Sequence, residues 1–411
     1  MMKLPSQSLY SFADQEGPSD LGVYGAAPIW RCERSGMYIV ESYALVKEVL
    51  NNPALFSSKV SLALMDPKFP AEEVAAIFAQ GGGVWTRTLQ TNDPPDHKRF
   101  RSLVDKVFTI RRVDQLEPGI RFTLQRMLAA VNPNQVFDAV DMLAMPFPLR
   151  IISEQLGVAP DRFRDFKRWS DAAVRAIGLG ATREQHLEAA RCAVEFQQYF
   201  NPTLADTTRR PAGSLVALVA DADAGAEKPF TLSEKLSLLH QLMIAGHETT
   251  ASTLATLLRL LAEDASLLAR LRGAPLLRRQ LIESVLRLHA PVQGLFRVTT
   301  GEVSLGGLTL PSRSLLSLRL GSANRDPARF SDSELLPEST KTVAHLSFGF
   351  GLHHCVGATL ARRELEVALE VICDTFSHLS LAVPAGDLVY THSVMTRSLM
   401  ALPLIGVFHG A

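Results

Sequence analysis

Cys355 is the side chain whose setting most clearly invites chemistry. Two closely spaced glycines, Gly349 and Gly351, precede it, and a third, Gly357, follows two residues later. Glycine tolerates positive φ and lets a bulky group approach the backbone, so such a loop can close tightly against a flat ligand. Beyond Gly357, the apolar residues Leu360, Ala361, Leu365, Ala368, Leu369 and Ile372 recur at helical spacing. Cys355 therefore lies just before a helix N-terminus, where the macrodipole and free amides favour a thiolate. A thiolate in a glycine-rich loop facing a large planar group describes an axial haem ligand. A cysteine can also be simply a small buried hydrophobe. A phosphate loop would end in Gly-Lys-Ser/Thr, which is missing here. Zinc would need ligands converging on one ion, which the adjacent His353, His354 and Cys355 do not readily supply.

A second group lies about a hundred residues earlier, at Ala245, Gly246, His247, Glu248 and Thr249. Small residues at 245 and 246 would let a planar group lie close to a helix. Glu248 and Thr249 set a carboxylate beside a hydroxyl, a pair suited to relaying protons. Threonine in a helix often just bonds back to the i−4 carbonyl. A zinc-protease reading fails, because the second histidine it needs at 251 is Ala251. A haem would also need cations for its two propionates. His97 and Arg101 are four apart, hence on one helix face.

The elements that carry these residues are mostly helical. Met37–Val40 alternates as a short strand, and Tyr43–Leu50 reads as a helix stopped by Asn51, Asn52 and Pro53. Residues 57–90 lack clear periodicity and suggest a long loop with a short helix. Pro94 and Pro95 suit the first turn of the basic helix that holds His97 and Arg101. Amphipathic helices follow from about 113 to 220, with breaks near Pro133, Pro160, Gly178–Gly180 and Pro211. Thr231 and Glu234 form a capping-box pattern opening the longest periodic run, to about Asp264, read as one helix roughly 45–50 Å long. A helix from about 275 stops before Pro291, and Gly306-Gly307 marks a hairpin within 295–320.

Composition sets the bounds. The chain has 411 residues, 47% hydrophobic and 20% charged, with formal net charge zero. That is ordinary globular composition, and no charge excess points to nucleic acid or an anionic membrane. The four scattered cysteines form no C-x-x-C and suit free thiols in a reducing cytoplasm. No run of about 20 apolar residues suggests a membrane span. The expectation is a cytoplasmic protein that binds neither membrane nor nucleic acid.

The stretch Phe348-Gly349-x-Gly351-x-His353-x-Cys355-x-Gly357-x-x-Leu360-Ala361-Arg362 closely resembles the haem-binding signature of the cytochrome P-450 family, especially its soluble bacterial members. The resemblance runs from Tyr38 to about Pro403. It implies one domain over 1–411, mainly α with a small β lobe at roughly 20–60 and 292–320, and haem b between the long helix and the Cys355 loop. Cys355 would be the axial iron ligand, with Phe348, Gly349, Gly357, Ala245 and Gly246 around the ring. His97, Arg101, Arg297 and His353 match the family's propionate contacts. Glu248 and Thr249 match its acid–alcohol pair, which delivers protons during dioxygen activation. Gln241, Ile244, Gln293, Leu295, Val394 and Met395 would line a substrate pocket, the two amides either reading a polar group on a hydrophobic substrate or bonding to backbone. The implied activity is monooxygenation of a small hydrophobic molecule with electrons from NAD(P)H through a ferredoxin- or flavodoxin-type partner. The basic residues Lys98, Arg99, Lys106, Arg111, Arg112 and Arg363 suggest its docking face, or a merely solvated one. A peroxide-driven haem enzyme and a non-catalytic haem carrier are the alternatives.

One departure stands out. The family's Glu-x-x-Arg becomes Ser284-Val285-Leu286-Arg287, and Glu283 falls one residue early, about 100° round the helix. No arginine occurs between Arg329 and Arg362, where the family has a third member of this network, and Thr340 occupies one expected place. The expectation is that Arg287 bonds to backbone carbonyls of 335–347, helped by water or the Ser284 hydroxyl.

Overall fold

Strands from the β segments expected near 20–60 and 292–320 meet in one sheet, and a separate hairpin lies within the second segment. The computed structural model describes residues 27–409 except 34, 61–68, 177–180, 224–227, 331–343, 392 and 394. Its strands are β1 (Ile29–Arg31), β2 (Tyr38–Val40), β3 (Phe56–Ser57), β4 (Val136–Asp138), β5 (Gly294–Thr299), β6 (Val303–Leu305), β7 (Leu308–Leu310), β8 (Leu315–Arg319), β9 (Phe376–Leu381) and β10 (Pro403–Phe408). The largest sheet has the order β1-β2-β8-β5-β3; β4, β10 and β9 form a second, and β6-β7 is the hairpin read from Gly306-Gly307. Both glycines have positive φ (56° and 81°), as a tight hairpin turn requires. Alternation along β2 and β8 turns Val40, Leu316 and Leu318 into a core shared with Val46 and Leu50 of the Tyr43–Asn51 helix and with Leu346.

The chain divides into two compact units. One comprises 1–57, 110–147 and 249–411; the other comprises 58–109 and 148–248. Every described strand belongs to the first, and the second is helical. In the first unit the Ile110–Leu128 helix packs on the Ala358–Thr375 helix that follows Cys355, and Arg363 pairs with Asp114 (2.7 Å) and Glu117 (2.6 Å). The short helix expected within 57–90 is Ala71–Ala79.

The longest periodic run is two helices rather than one, Leu232–Ala245 and Glu248–Glu263. Residues 246 and 247 form a turn between them. A Cβ at Gly246 would come within 2.6 Å of Ile152 Cγ1 and 2.8 Å of the Leu242 carbonyl, so this close approach requires glycine. His247 then turns its Nδ1 onto the Met243 carbonyl (3.0 Å), an acceptor the helical ladder would otherwise use. Its Nε2 lies 3.1 Å from Ser170 Oγ on the Phe163–Arg175 helix. Apolar periodicity survives such a break, which is why the sequence reads as continuous.

The capping box forms as read: Thr231 Oγ1 accepts the Glu234 N–H (3.2 Å), and Glu234 Oε2 accepts the Thr231 N–H (2.8 Å). Thr231→Ala leaves one helix donor without its acceptor. It should lower stability by about 1 kcal/mol, read as a shift of the urea midpoint with no change in slope.

Candidate active site

The Cys355 loop is built by backbone constraint. Gly349 and Gly351 adopt φ of 70° and 65°, a region closed to most side chains. At Gly351 a Cβ would also stand 2.9 Å from the Leu50 carbonyl. The Gly349 N–H donates to Leu346 (2.8 Å), the Cys355 N–H to the Phe348 carbonyl (2.8 Å), and Ala361 N–H to Gly357 (2.9 Å). The loop thus closes on itself and runs into the Ala358–Thr375 helix, whose N-cap is Gly357. A Cβ at Gly357 would lie 4.0 Å from Cys355 Sγ, in ordinary contact. Cys355 is exposed, whereas Cys32, Cys192 and Cys373 are buried. Burial pushes the Cys192 and Cys373 thiols up to about 11, which leaves them inert.

In the same unit, Arg297 sits on β5 opposite Leu316 of β8, buried, and donates to the Phe296 carbonyl (2.7 Å). His353 is half-buried in a single 3₁₀ turn, Gly351–His353. Gln293 is 2% exposed. Its backbone N–H donates to Met395 (2.7 Å), its side-chain amide donates to the Ala290 carbonyl (2.5 Å), and its Oε1 packs where a Gly321 Cβ would stand. That is the backbone-bonding role. Leu295 and Met395 are half-buried, and Val394 lies outside the described residues.

The other unit carries His97 and Arg101 on the Asp96–Val104 helix, which begins just past the two prolines. His97 is 1% exposed, and burial, then the charge of Arg101, hold its imidazole below the usual range. Arg101 Nε meets Asp105 at 2.7 Å. On the Leu232–Ala245 helix, Gln241 Oε1 accepts from Thr88 Oγ1 (2.5 Å); Gln241 and Ile244 are half-buried and Ala245 is exposed. Arg99 is ion-paired with Glu234 and lies 4.1 Å over the Phe230 ring. Arg363, another member of the basic set, is likewise paired.

Glu248 and Thr249 open the second half of the broken helix, both half-buried. The Thr249 carbonyl accepts from Thr253 Oγ1 (2.9 Å), so back-bonding at this level belongs to Thr253. Burial pushes the Glu248 carboxyl up to about 7, against the helix N-terminus, which favours the ionised form. It is poised to hold or release a proton near neutrality, as a general acid should be.

The cytochrome P-450 family model matches residues 162–274 and 275–391. The 6-deoxyerythronolide B hydroxylase of Saccharopolyspora erythraea is 32% identical over 89% of each chain. The mycinamicin IV hydroxylase/epoxidase of Micromonospora griseorubida is 32% identical over 96% of this chain and 98% of its own. A solved cytochrome P-450 from Chondromyces apiculatus superposes with a TM-score of 0.80 at 32% identity, covering 94% of each chain.

The chain belongs to the cytochrome P-450 family. It is an oxidoreductase that incorporates oxygen, and its cofactor is haem b. The residues present fit that group: the motif cysteine is the exposed one of four, and its loop is closed by glycines at positive φ. No described helix is long and apolar enough to cross a membrane.

Sequence reasoning missed three features of this P-450. The Ser170–His247 contact pairs residues 77 apart, and no local pattern marks it. Arg287 donates to the Asn324 carbonyl (3.1 Å) and lies 4.8 Å over the Phe330 ring. That carbonyl falls outside the expected 335–347 segment, of which 335–343 are outside the described residues. Glu283, read only as falling one residue early on its helix, grips Arg362 and His345.

The Glu248 shift has a measurable sign. A carboxyl whose folded pKa is raised contributes stability that is present below the unfolded value of 4.5 and lost as pH rises through about 7. Buried His240 and His247, held down to about 3 and 4 by desolvation, act oppositely: they lose stability as pH falls through 6.5. Wild type minus Glu248→Gln cancels them. The stability of wild type relative to this variant should fall between pH 5 and pH 8, and urea midpoints at both pH values check it.

Proposed function

We propose that this P-450 is a monooxygenase that inserts one oxygen atom into a largely hydrophobic organic substrate, with the haem iron held by Cys355. The observation that carries the reading is the exposed Cys355 thiol in a loop closed by Gly349 and Gly351, the other three cysteines being buried. Bound haem b supplies the redox chemistry by which dioxygen, two electrons and two protons give a hydroxylated product and water. Its propionates would be held by Arg297 and His353 and, on the strength of their His-x-x-x-Arg motif, by His97 and Arg101. Phe348, Gly349, Gly357, Ala245 and Gly246 would face the ring.

The chain's own part in catalysis is to deliver protons and position the substrate. Glu248, titrating near neutrality, would hold the proton, and the Thr249 hydroxyl would fix the water that carries it. The pair favours dioxygen over a peroxide-driven reaction, because peroxide already brings its protons. Gln241, its Oε1 engaged by Thr88, would offer its amide N–H to a polar group on an otherwise apolar substrate; Ile244, Leu295, Val394 and Met395 are the apolar residues that the resemblance assigns to the pocket. The names of two relatives, a 6-deoxyerythronolide B hydroxylase and a mycinamicin IV hydroxylase/epoxidase, support hydroxylation as the reaction. Electrons would come from NAD(P)H through a ferredoxin- or flavodoxin-type protein in the cytoplasm. Substrate-dependent NADH consumption through a ferredoxin system separates this reading from a peroxide-driven enzyme or a carrier.

Cys355→Ser should abolish the red-shifted carbonyl band that thiolate ligation gives reduced haem; survival of that band would sink the reading at its centre. Thr249→Ala should bind haem and substrate as wild type but lower product formation about 10²–10⁴-fold. NADH use would persist, with the excess electrons recovered as hydrogen peroxide.

A further inference from the structure

We propose that Glu283 is the carboxylate that positions the Cys355 loop, by gripping the loop's two limbs at His345 and Arg362. The inference rests on Cys355 being the iron ligand. The limb entering the loop passes through His345, Ser347 and Phe348; the limb leaving it passes through Arg362 in the first turns of the next helix. Glu283 lies between them on the Pro275–Leu288 helix.

The geometry is specific. Glu283 Oε1 meets Arg362 Nε at 2.6 Å and Oε2 meets Nη2 at 3.0 Å, a two-pronged pairing that fixes orientation as well as distance. Oε2 also lies 3.2 Å from His345 Nε2. His345 Nδ1 accepts the Ser347 N–H (3.2 Å), so the ring proton resides on Nε2 and donates to Glu283. Arg362 in turn lays its guanidinium over the Phe348 ring, 4.3 Å from the centroid, and the Phe348 carbonyl receives the Cys355 N–H. An unbroken series of contacts thus leads from Glu283 through Arg362 and Phe348 to the backbone of Cys355.

A separate, uncharged tie holds the loop's root. Asn324 is fully buried; it accepts the Leu346 N–H (2.7 Å) and donates to Ser347 Oγ (2.8 Å), which donates to the Leu286 carbonyl (2.5 Å). The same Asn324 takes the Arg287 guanidinium on its carbonyl. With Ser284 where the family has glutamate, the helix keeps its acid one position earlier. Because the Asn324 tie is independent, losing Glu283 should loosen the loop without unfolding the chain.

The test compares haem-loaded wild type, Glu283→Gln, Arg362→Lys and the double variant Glu283→Gln/Arg362→Lys. The thiolate carbonyl band and the far-ultraviolet circular dichroism are followed side by side on warming. Glu283→Gln should bind haem, yet lose the thiolate band at least about 10-fold faster than wild type, with the global melting midpoint nearly unchanged. Arg362→Lys keeps the charge but not the fork, and should give an intermediate rate. It also keeps the test open should Glu283→Gln not fold. The double variant should be no worse than Glu283→Gln alone, as coupled partners require. A wild-type rate of band loss in Glu283→Gln overturns the proposal, as do effects of the two variants that simply add. Band loss that only tracks global melting also overturns it, because it marks a general structural role. Cys355→Ser, run in parallel, reports on the ligand itself. Its loss of the band while Glu283→Gln behaves as wild type refutes the clamp alone, and persistence of the band in Cys355→Ser refutes the underlying assignment.

Discussion

The structure depends on a backbone constraint at Gly349 and Gly351. Only residues without a Cβ enter the left-handed region there without strain, and at Gly351 the neighbouring Leu50 carbonyl leaves no room for one in any case. This double turn lifts Cys355 out of the core while its N–H stays bonded to Phe348. A thiol placed otherwise would share the fate of Cys192 and Cys373, whose burial pushes them up to about 11 and away from ligand chemistry. The sheet, the Tyr43–Asn51 helix and Leu346 form the core beneath the turn, so packing far from the cysteine decides where the sulfur stands.

Glu248 and Thr249, proposed as the acid–alcohol pair, are positioned by the opposite device, a helix interrupted rather than a loop closed. Gly246 approaches Ile152 too closely for any side chain, and His247 takes the carbonyl of Met243. The second helix then starts at Glu248, which is half-buried in its first turn. Two opposing influences act on that carboxyl, the helix N-terminus lowering its pKa and desolvation raising it, and desolvation wins. An uninterrupted helix would place Glu248 mid-ladder, with no such turn to shape its surroundings.

The Pro275–Leu288 helix carries two charges with different partners. A buried arginine is costly unless other groups satisfy it, and the groups around Arg287 include the Asn324 carbonyl and the Phe330 ring. Glu283 is meanwhile held as an anion at about 2. Burial alone would raise it, but the bonds from His345 and Arg362 outweigh that. Glu283 thus serves His345 and Arg362, while Arg287 on the same helix reaches Asn324.

The one-dimensional pattern by itself determined the family and singled out the residues proposed as haem ligand and proton-handling pair, because each is a set of residue types at short fixed spacing. Glycines around Cys355, Glu248 beside Thr249, and His97 four before Arg101 are local facts that survive any packing. The hairpin at Gly306-Gly307, the capping box at Thr231 and the helix ends at Asn51 and Pro291 were legible for the same reason. Tertiary structure alone decided the break at Gly246, since the steric demand comes from Ile152, 94 positions away in the chain, and periodicity is blind to it. It also decided that Gln293 bonds to backbone, that Arg99 and Arg363 are already paired, and that Glu283 reaches Arg362 across 79 residues. A side chain's partner depends on what packs against its face of the helix, and spacing along one chain segment does not carry that information.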